Sequence, residues 1–213
     1  DDSALIMDRT LEFIDQSVAK ETPFLAVVWF HAPHFPVLAS EEHRKGYSDL
    51  SLKEQHYYGA LAAMDQQVGR LRNRLKELGV SENTLLWFNS DNGPEGTAGK
   101  EIGTAGPLKG RKRSLYEGGV RVPGLIEWPG RLSVARTIHA PCTTLDILPT
   151  ILSAIGEELP PDLDGINLLP LLDGKTKTRS APIGFESKNQ SVWMEEKFKL
   201  LRFDEKEKGI RFE

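Results

Sequence analysis

The stretch Thr84-Leu85-Leu86-Trp87-Phe88-Asn89-Ser90-Asp91-Asn92-Gly93-Pro94 constrains the fold most. Leu85 to Phe88 carries no polar alternation, the pattern of a strand buried on both faces of a parallel sheet. It stops at a carboxylate, a carboxamide, a glycine and a proline, which is turn chemistry. In open α/β sheets ligands gather outside the carboxyl ends of the strands. Asp91 and Asn92 therefore offer hard oxygen donors at such an edge, the type that Ca²⁺ or Mg²⁺ prefers. An Asx turn that merely closes a loop is the competing reading.

A second apolar run, Phe24-Leu25-Ala26-Val27-Val28-Trp29-Phe30, also predicts a buried strand and also ends in polar groups, at His31-Ala32-Pro33-His34-Phe35-Pro36. Prolines on either side of His34 fix its backbone, as a positioned ligand contact requires; a purely structural histidine is the alternative. Before this run, Met7, Leu11, Ile14 and Val18 fall on one helical face behind a cap at Asp2 or Ser3. After it, residues 37 to 50 read as loop. A long helix then runs from about Ser51 to Leu78, with Leu61, Met64, Val68, Leu71, Leu75 and Leu78 spaced by three and four and Gly79 as its stop. Strand, helix, strand is the βαβ unit, which puts His34 and Asp91 on one edge of one sheet.

Beyond Pro94 a glycine-rich segment leads into Lys109-Gly110-Arg111-Lys112-Arg113-Ser114-Leu115-Tyr116-Glu117-Gly118-Gly119-Val120-Arg121-Val122-Pro123. A basic run is ordinarily a solvated face. Here it follows the Asp91 edge inside a chain of net charge -4, and an anionic substrate is the natural partner for a cation so placed. That balance gives no reason to expect nucleic acid as a partner, and no apolar run approaches a membrane span. A single cysteine, Cys142, excludes an internal disulfide and a cysteine-rich zinc site.

Gly124 to Trp128 reads as a further strand, and Thr143 or Thr144 caps a helix that carries Pro149 and ends at Gly156. The fold class is therefore α/β: a mixed, largely parallel sheet flanked by helices, with a small antiparallel subdomain at the C-terminal end. Residues 1–156 form the main domain, 157–181 a linker, and 182–213 the start of the subdomain. Its strand candidates are Ile183 to Glu186, Val192 to Met194 and Phe198 to Phe203.

The motifs His31 to Pro36, Ser90 to Pro94 and Gly110 to Pro123, in this order and spacing, resemble the sulfatases, in particular the arylsulfatase and N-acetylgalactosamine-6-sulfatase branch. The likeness extends to Tyr57-Tyr58-Gly59, Asp65 and Val68-Gly69-Arg70-Leu71. The resemblance implies the alkaline-phosphatase-like sulfatase fold, hydrolysis of sulfate esters, and a sulfated carbohydrate or aryl sulfate as substrate. It implies Asp91 and Asn92 as ligands of Ca²⁺, with Mg²⁺ possible. It implies His34 and Lys112 as catalytic contacts to the sulfate group, Lys109 being the rival of Lys112. A periplasmic or secreted location follows from the same likeness.

One part of the family pattern is missing. Sulfatases make their formylglycine nucleophile from a Cys/Ser-x-Pro/Ala-x-Arg motif, and no such stretch occurs here; Pro141-Cys142-Thr143-Thr144-Leu145 does not match it. The chain also opens on Asp1-Asp2-Ser3, directly into a helical pattern and without a starting methionine. The resemblance thus reads as a C-terminal portion of a sulfatase, inactive alone, with the formylglycine in a missing N-terminal half. Two alternatives stand: a phosphatase or phosphonate hydrolase of the same superfamily, and a non-catalytic binder of sulfated ligands.

Overall fold

The computed structural model describes residues 1–97, 99–205 and 209–212. The chain divides into two compact units, Asp1–Leu86 with Trp128–Arg131, and Trp87–Glu127 with Leu132–Glu213.

The first unit is built on two helices, α1 (Ser3–Ala19) and α3 (Leu52–Glu77). Met7 and Ile14 of α1 bury against Leu71 and Leu75 of α3, with Leu11, Val18, Phe24, Phe30, Leu78 and Val80 packed around them. The expected apolar face of α1 is the one that is buried. The face of α3 rotates along its length. Its C-terminal half buries Leu71 and Leu75 as the spacing predicts, but its N-terminal half buries Gly59, Ala60, Ala63 and Gln67 instead of Leu61 and Met64. Gly59 is needed there because a Cβ would lie 2.9 Å from the Ala39 side chain and 3.1 Å from His43 O. Ser51 and Glu54 form a capping box at the helix start. Arg74 fastens α3 to α1 through a two-pronged contact with Asp15, at 2.8 and 3.1 Å.

Two expectations are corrected in this unit. Residues 37 to 50 are not plain loop: Ser40 caps a short helix, α2 (Glu41–Arg44), followed by a 3₁₀ turn at Lys45–Tyr47. Phe24 to Phe30 is extended but forms no strand among the described residues. Its alternate residues divide between two environments. Phe24, Ala26, Val28 and Phe30 are half-buried, while Leu25, Val27 and Trp29 are exposed, Trp29 at 81%. An extended segment becomes a strand only when a neighbour takes up its amides and carbonyls, and this run finds none among the described residues.

In the second unit β1 (Leu86–Asn89), whose first residue belongs to the first unit, pairs with β2 (Gly124–Glu127). Between them lies a one-turn helix, α4 (Glu117–Val120). A 3₁₀ turn (Thr144–Asp146) leads into α5 (Ile147–Ile155), which ends at Gly156 with φ +81° as a left-handed C-cap. The stretch read as a linker contains a further short helix, α6 (Leu169–Leu172), whose Leu169, Leu171 and Leu172 are buried. It is held by the Asp146 carboxylate, wholly buried, which accepts from Arg179 at 2.6 and 2.9 Å and from the amides of Thr143 and Ile166 at 2.8 Å each.

The chain closes in an antiparallel sheet of four strands: β3 (Ile183–Ser187), β4 (Gln190–Met194), β5 (Lys199–Glu205) and β6 (Gly209–Phe212). The three expected strands are present, and β6 adds a fourth. Gln190 stands opposite Phe203 and Val192 opposite Leu201, so Gln190, Val192, Leu201 and Phe203 share one face. On that face Val192, Leu201 and Phe203 bury against Leu115, with Tyr116 and Val120 packed beside them.

Candidate active site

Two loops of the second unit make the site. The first follows β1. Asp91 is exposed, and its Oδ1 accepts the adjacent Asn92 amide at 2.9 Å within the bend at residues 91–93; it is not an Asx turn, because the amide two residues on, Gly93 N, donates to Gly119 O instead. This contact and the ligand reading are compatible, since it engages Oδ1 and leaves Oδ2. Asn92 Nδ2 donates to Gly93 O at 3.0 Å, which leaves the carboxamide oxygen for another partner. The donor set is thus a carboxylate and a carboxamide oxygen, both hard. It fits two positions of a calcium shell rather than a complete one, and no cluster of three or more His, Cys, Asp or Glu able to hold a metal occurs among the described residues.

The second loop carries the basic run and is sewn to the first by glycine contacts. Gly93 N donates to Gly119 O at 2.9 Å, and Lys112 N donates to Pro94 O at 3.1 Å. A Cβ on Gly93 would lie 1.8 Å from Gly118 O, and one on Gly119 would lie 2.0 Å from Ser114 O. Only hydrogen at these positions lets the backbones meet. The closeness of Asp91-Asn92 to the Lys112 segment is therefore written into Gly93, Gly118 and Gly119.

The cations of the run differ in what they face. Arg111 is structural, its Nη2 donating to Glu95 O at 2.8 Å and to Gly103 O. Arg113 pairs with Glu95 Oε1, and Lys112 Nζ stands 3.6 Å from Glu95 Oε2. The Arg113 hydrogen bond first, then the Gly96 amide and the charges of Arg113 and Lys112, hold the Glu95 carboxyl down at about 2. Lys109 lies over the Tyr116 ring, 3.9 Å from its centroid. Lys112 thus sits beside the Asp91 loop with its side chain 21% exposed, whereas Lys109 is engaged with an aromatic face.

His34 belongs to the first unit. It is exposed, its amide donates to His31 O at 2.7 Å, and its Nδ1 lies 2.8 Å from Phe35 O, the geometry of a ring N–H donating to a carbonyl. That bond would leave Nε2 as the ring nitrogen open to a ligand. Cys142 does not resemble an activated thiol. Burial and the neighbouring Asp146 carboxylate push its thiol up, away from the thiolate that a nucleophile needs.

Three supporting residues escape motif reading. Glu95 gathers the cations. Gln190 and Lys199 reach the basic loop from the C-terminal sheet: Gln190 bonds to the backbone of Arg113 and Leu115, and Lys199 Nζ donates to Glu117 Oε1 at 2.7 Å. The available signal was alternation, because it puts the polar Gln190 on the same strand face as Val192 and Met194.

The paired loops present oxygen donors and a cation together beyond the end of β1. A profile described as Sulfatase matches residues 1–157, and one described as N-sulphoglucosamine sulphohydrolase, C-terminal, matches residues 110–209. The chain is 37% identical over 175 residues to steryl-sulfatase of Homo sapiens, covering 78% of this chain and 28% of that protein. It is 34% identical over 171 residues to N-acetylgalactosamine-6-sulfatase of Rattus norvegicus, covering 79% and 32%. The crystal structure of Ps i-CgsB in complex with k-i-k-neocarrahexaose superposes with a TM-score of 0.85 at 27% identity, covering 99% of this chain and 48% of that one. The chain belongs to the sulfatase family and has the sulfatase fold over its length. It spans about a third of the length of the curated relatives it matches.

Proposed function

We propose that a complete protein containing this sequence hydrolyses sulfate esters, on glycans or aryl compounds, and that this chain supplies the metal-side and cation-side half of its active site. The observation that carries the reading is the joining of the Asp91-Asn92 loop to the Lys112 loop through Gly93, Gly118 and Gly119. Lys112 holds a sulfate oxygen and the bridging oxygen, neutralising charge that grows as the sulfur–oxygen bond breaks. His34 contacts the substrate's sulfate group through its remaining ring nitrogen. Asp91 and Asn92 would hold Ca²⁺, with Mg²⁺ as the alternative hard cation, and the bound ion would supply further positive charge to an anionic substrate.

The nucleophile, a formylglycine, lies outside these residues, so the 213-residue chain alone is inactive. It also binds metal weakly, since two side-chain oxygens leave most of a 6–8-oxygen calcium shell to water. The test is to assay the complete protein on an aryl sulfate and an aryl phosphate side by side, before and after chelation and calcium addition. Sulfate turnover in clear excess, lost with chelator and restored by Ca²⁺, is expected. Equal or faster phosphate turnover overturns the reading.

A further inference from the structure

Arg113 adopts φ +75°, a left-handed backbone that an arginine reaches only at a cost. It directly follows Lys112, so whatever fixes Arg113 also fixes the direction in which the Lys112 side chain leaves the loop. The fixing group comes from far along the chain. Gln190 Oε1 accepts the Leu115 amide at 3.1 Å, and Gln190 Nε2 donates to Arg113 O at 3.1 Å. One side-chain amide thus imitates a neighbouring strand, closing both free backbone groups that flank Ser114.

Gln190 is itself rigidly held. It is the first residue of β4 and pairs with Ser187 on one side and Phe203 on the other. The hairpin before it turns through Lys188, at φ +55°, and Asn189 O accepts the Asp204 amide at 2.8 Å. On the other side of Lys112, its own amide is tied to Pro94 O. The cation therefore stands between two backbone anchors, one from the Asp91 loop and one from the C-terminal sheet.

We propose that Gln190 is a positioning residue for Lys112, so that the C-terminal sheet sets the aim of the sulfate-binding cation. This rests on the reading of Lys112 given above. A glutamine amide suits the task because it must accept and donate at once. Glutamate at 190 keeps the size and the acceptor but places a second acceptor against Arg113 O, so the bond there is replaced by repulsion.

The experiment is a double-mutant cycle in the complete protein with an aryl sulfate, using Gln190→Glu, Lys112→Ala and the pair, with Ser191→Ala on the opposite strand face as control. Gln190→Glu is expected to lower kcat/KM by roughly 10- to 100-fold, the scale of a misplaced catalytic group. In the Lys112→Ala background the same change is expected to cost less than about threefold, because its target is gone. Amide hydrogen exchange is read in parallel in Gln190→Leu, which removes the acceptor of the Leu115 amide as well, and Leu115 should exchange at least about tenfold faster there, with β4 and β5 unchanged. Full multiplicative loss in the double mutant, or unaltered Leu115 exchange, overturns the proposal. An active Lys112→Ala protein would instead overturn the role of Lys112, and the Leu115 exchange would then decide whether the clamp exists.

Discussion

Gly93→Ala tests whether the two loops must touch for the site to work. A Cβ at residue 93 would stand 1.8 Å from Gly118 O, and real Cβ contacts essentially never fall below 3.0 Å. The Gly118 carbonyl must therefore recede by the difference, about 1.2 Å, or the Asp91 loop must retreat by as much. Neither group is the free end of a side chain. The Gly93 to Gly119 hydrogen bond at 2.9 Å and the Lys112 to Pro94 bond at 3.1 Å join the same two segments, so both must stretch. A displacement near 1 Å between catalytic groups costs on the order of 10²-fold in rate. That corresponds to about 2.7 kcal/mol of transition-state stabilisation. Overpacking should also destabilise the fold by about 1–3 kcal/mol. The assay is kcat/KM of the complete protein on an aryl sulfate, with thermal unfolding alongside. A folded Gly93→Ala protein retaining more than about a third of wild-type kcat/KM would refute the reasoning.

The other predictions separate scaffold from site. Gly69→Ala, inside α3 with nothing within 4 Å of the added carbon, should stabilise by about 0.5–1 kcal/mol in denaturant unfolding and leave activity unchanged. Arg179→Ala should destabilise by about 3–5 kcal/mol in the same measurement, because Arg179 and Asp146 are 4% and 0% exposed and the carboxylate would stay buried without its cation. Glu95 has a folded pKa depressed to about 2, so its hold on the basic loop is complete above the unfolded value of 4.5 and is lost as pH falls from there towards 2. Amide exchange in residues 111–115 should rise over that acid window, and Glu95→Gln should abolish this dependence.

What was legible in the sequence is what local periodicity and turn chemistry control. The buried face of α1, the C-terminal half of α3, the Gly156 stop and the Asp91 bend all follow from nearby residues. The run from Phe24 to Phe30 has every local mark of a strand and forms none among the described residues, since a strand depends on hydrogen bonds from a neighbour that periodicity cannot reveal. The N-terminal half of α3 buries Gly59, Ala60 and Ala63 in place of larger side chains because α2 lies against it. Small residues mark such close approach, but hydrophobic spacing overlooks them. The basic run marks a cation-rich segment but does not distinguish what its members face. That distinction came from Glu95, Tyr116 and Gln190, the last of them 78 residues away from Lys112 in the chain.

The most direct test of the account compares Lys112→Ala with Lys109→Ala in the complete protein. Lys112 adjoins the Asp91 loop and Lys109 lies over Tyr116, so the two alanines remove the same charge from places with different consequences. Lys112→Ala should lower kcat on an aryl sulfate by about 10²–10³-fold with the unfolding midpoint nearly unchanged. Lys109→Ala should keep kcat within about threefold and lose at most about 1 kcal/mol of stability with its ring contact. Equal losses, or a larger loss for Lys109→Ala, would contradict the assignment of Lys112 as the cation that holds the sulfate.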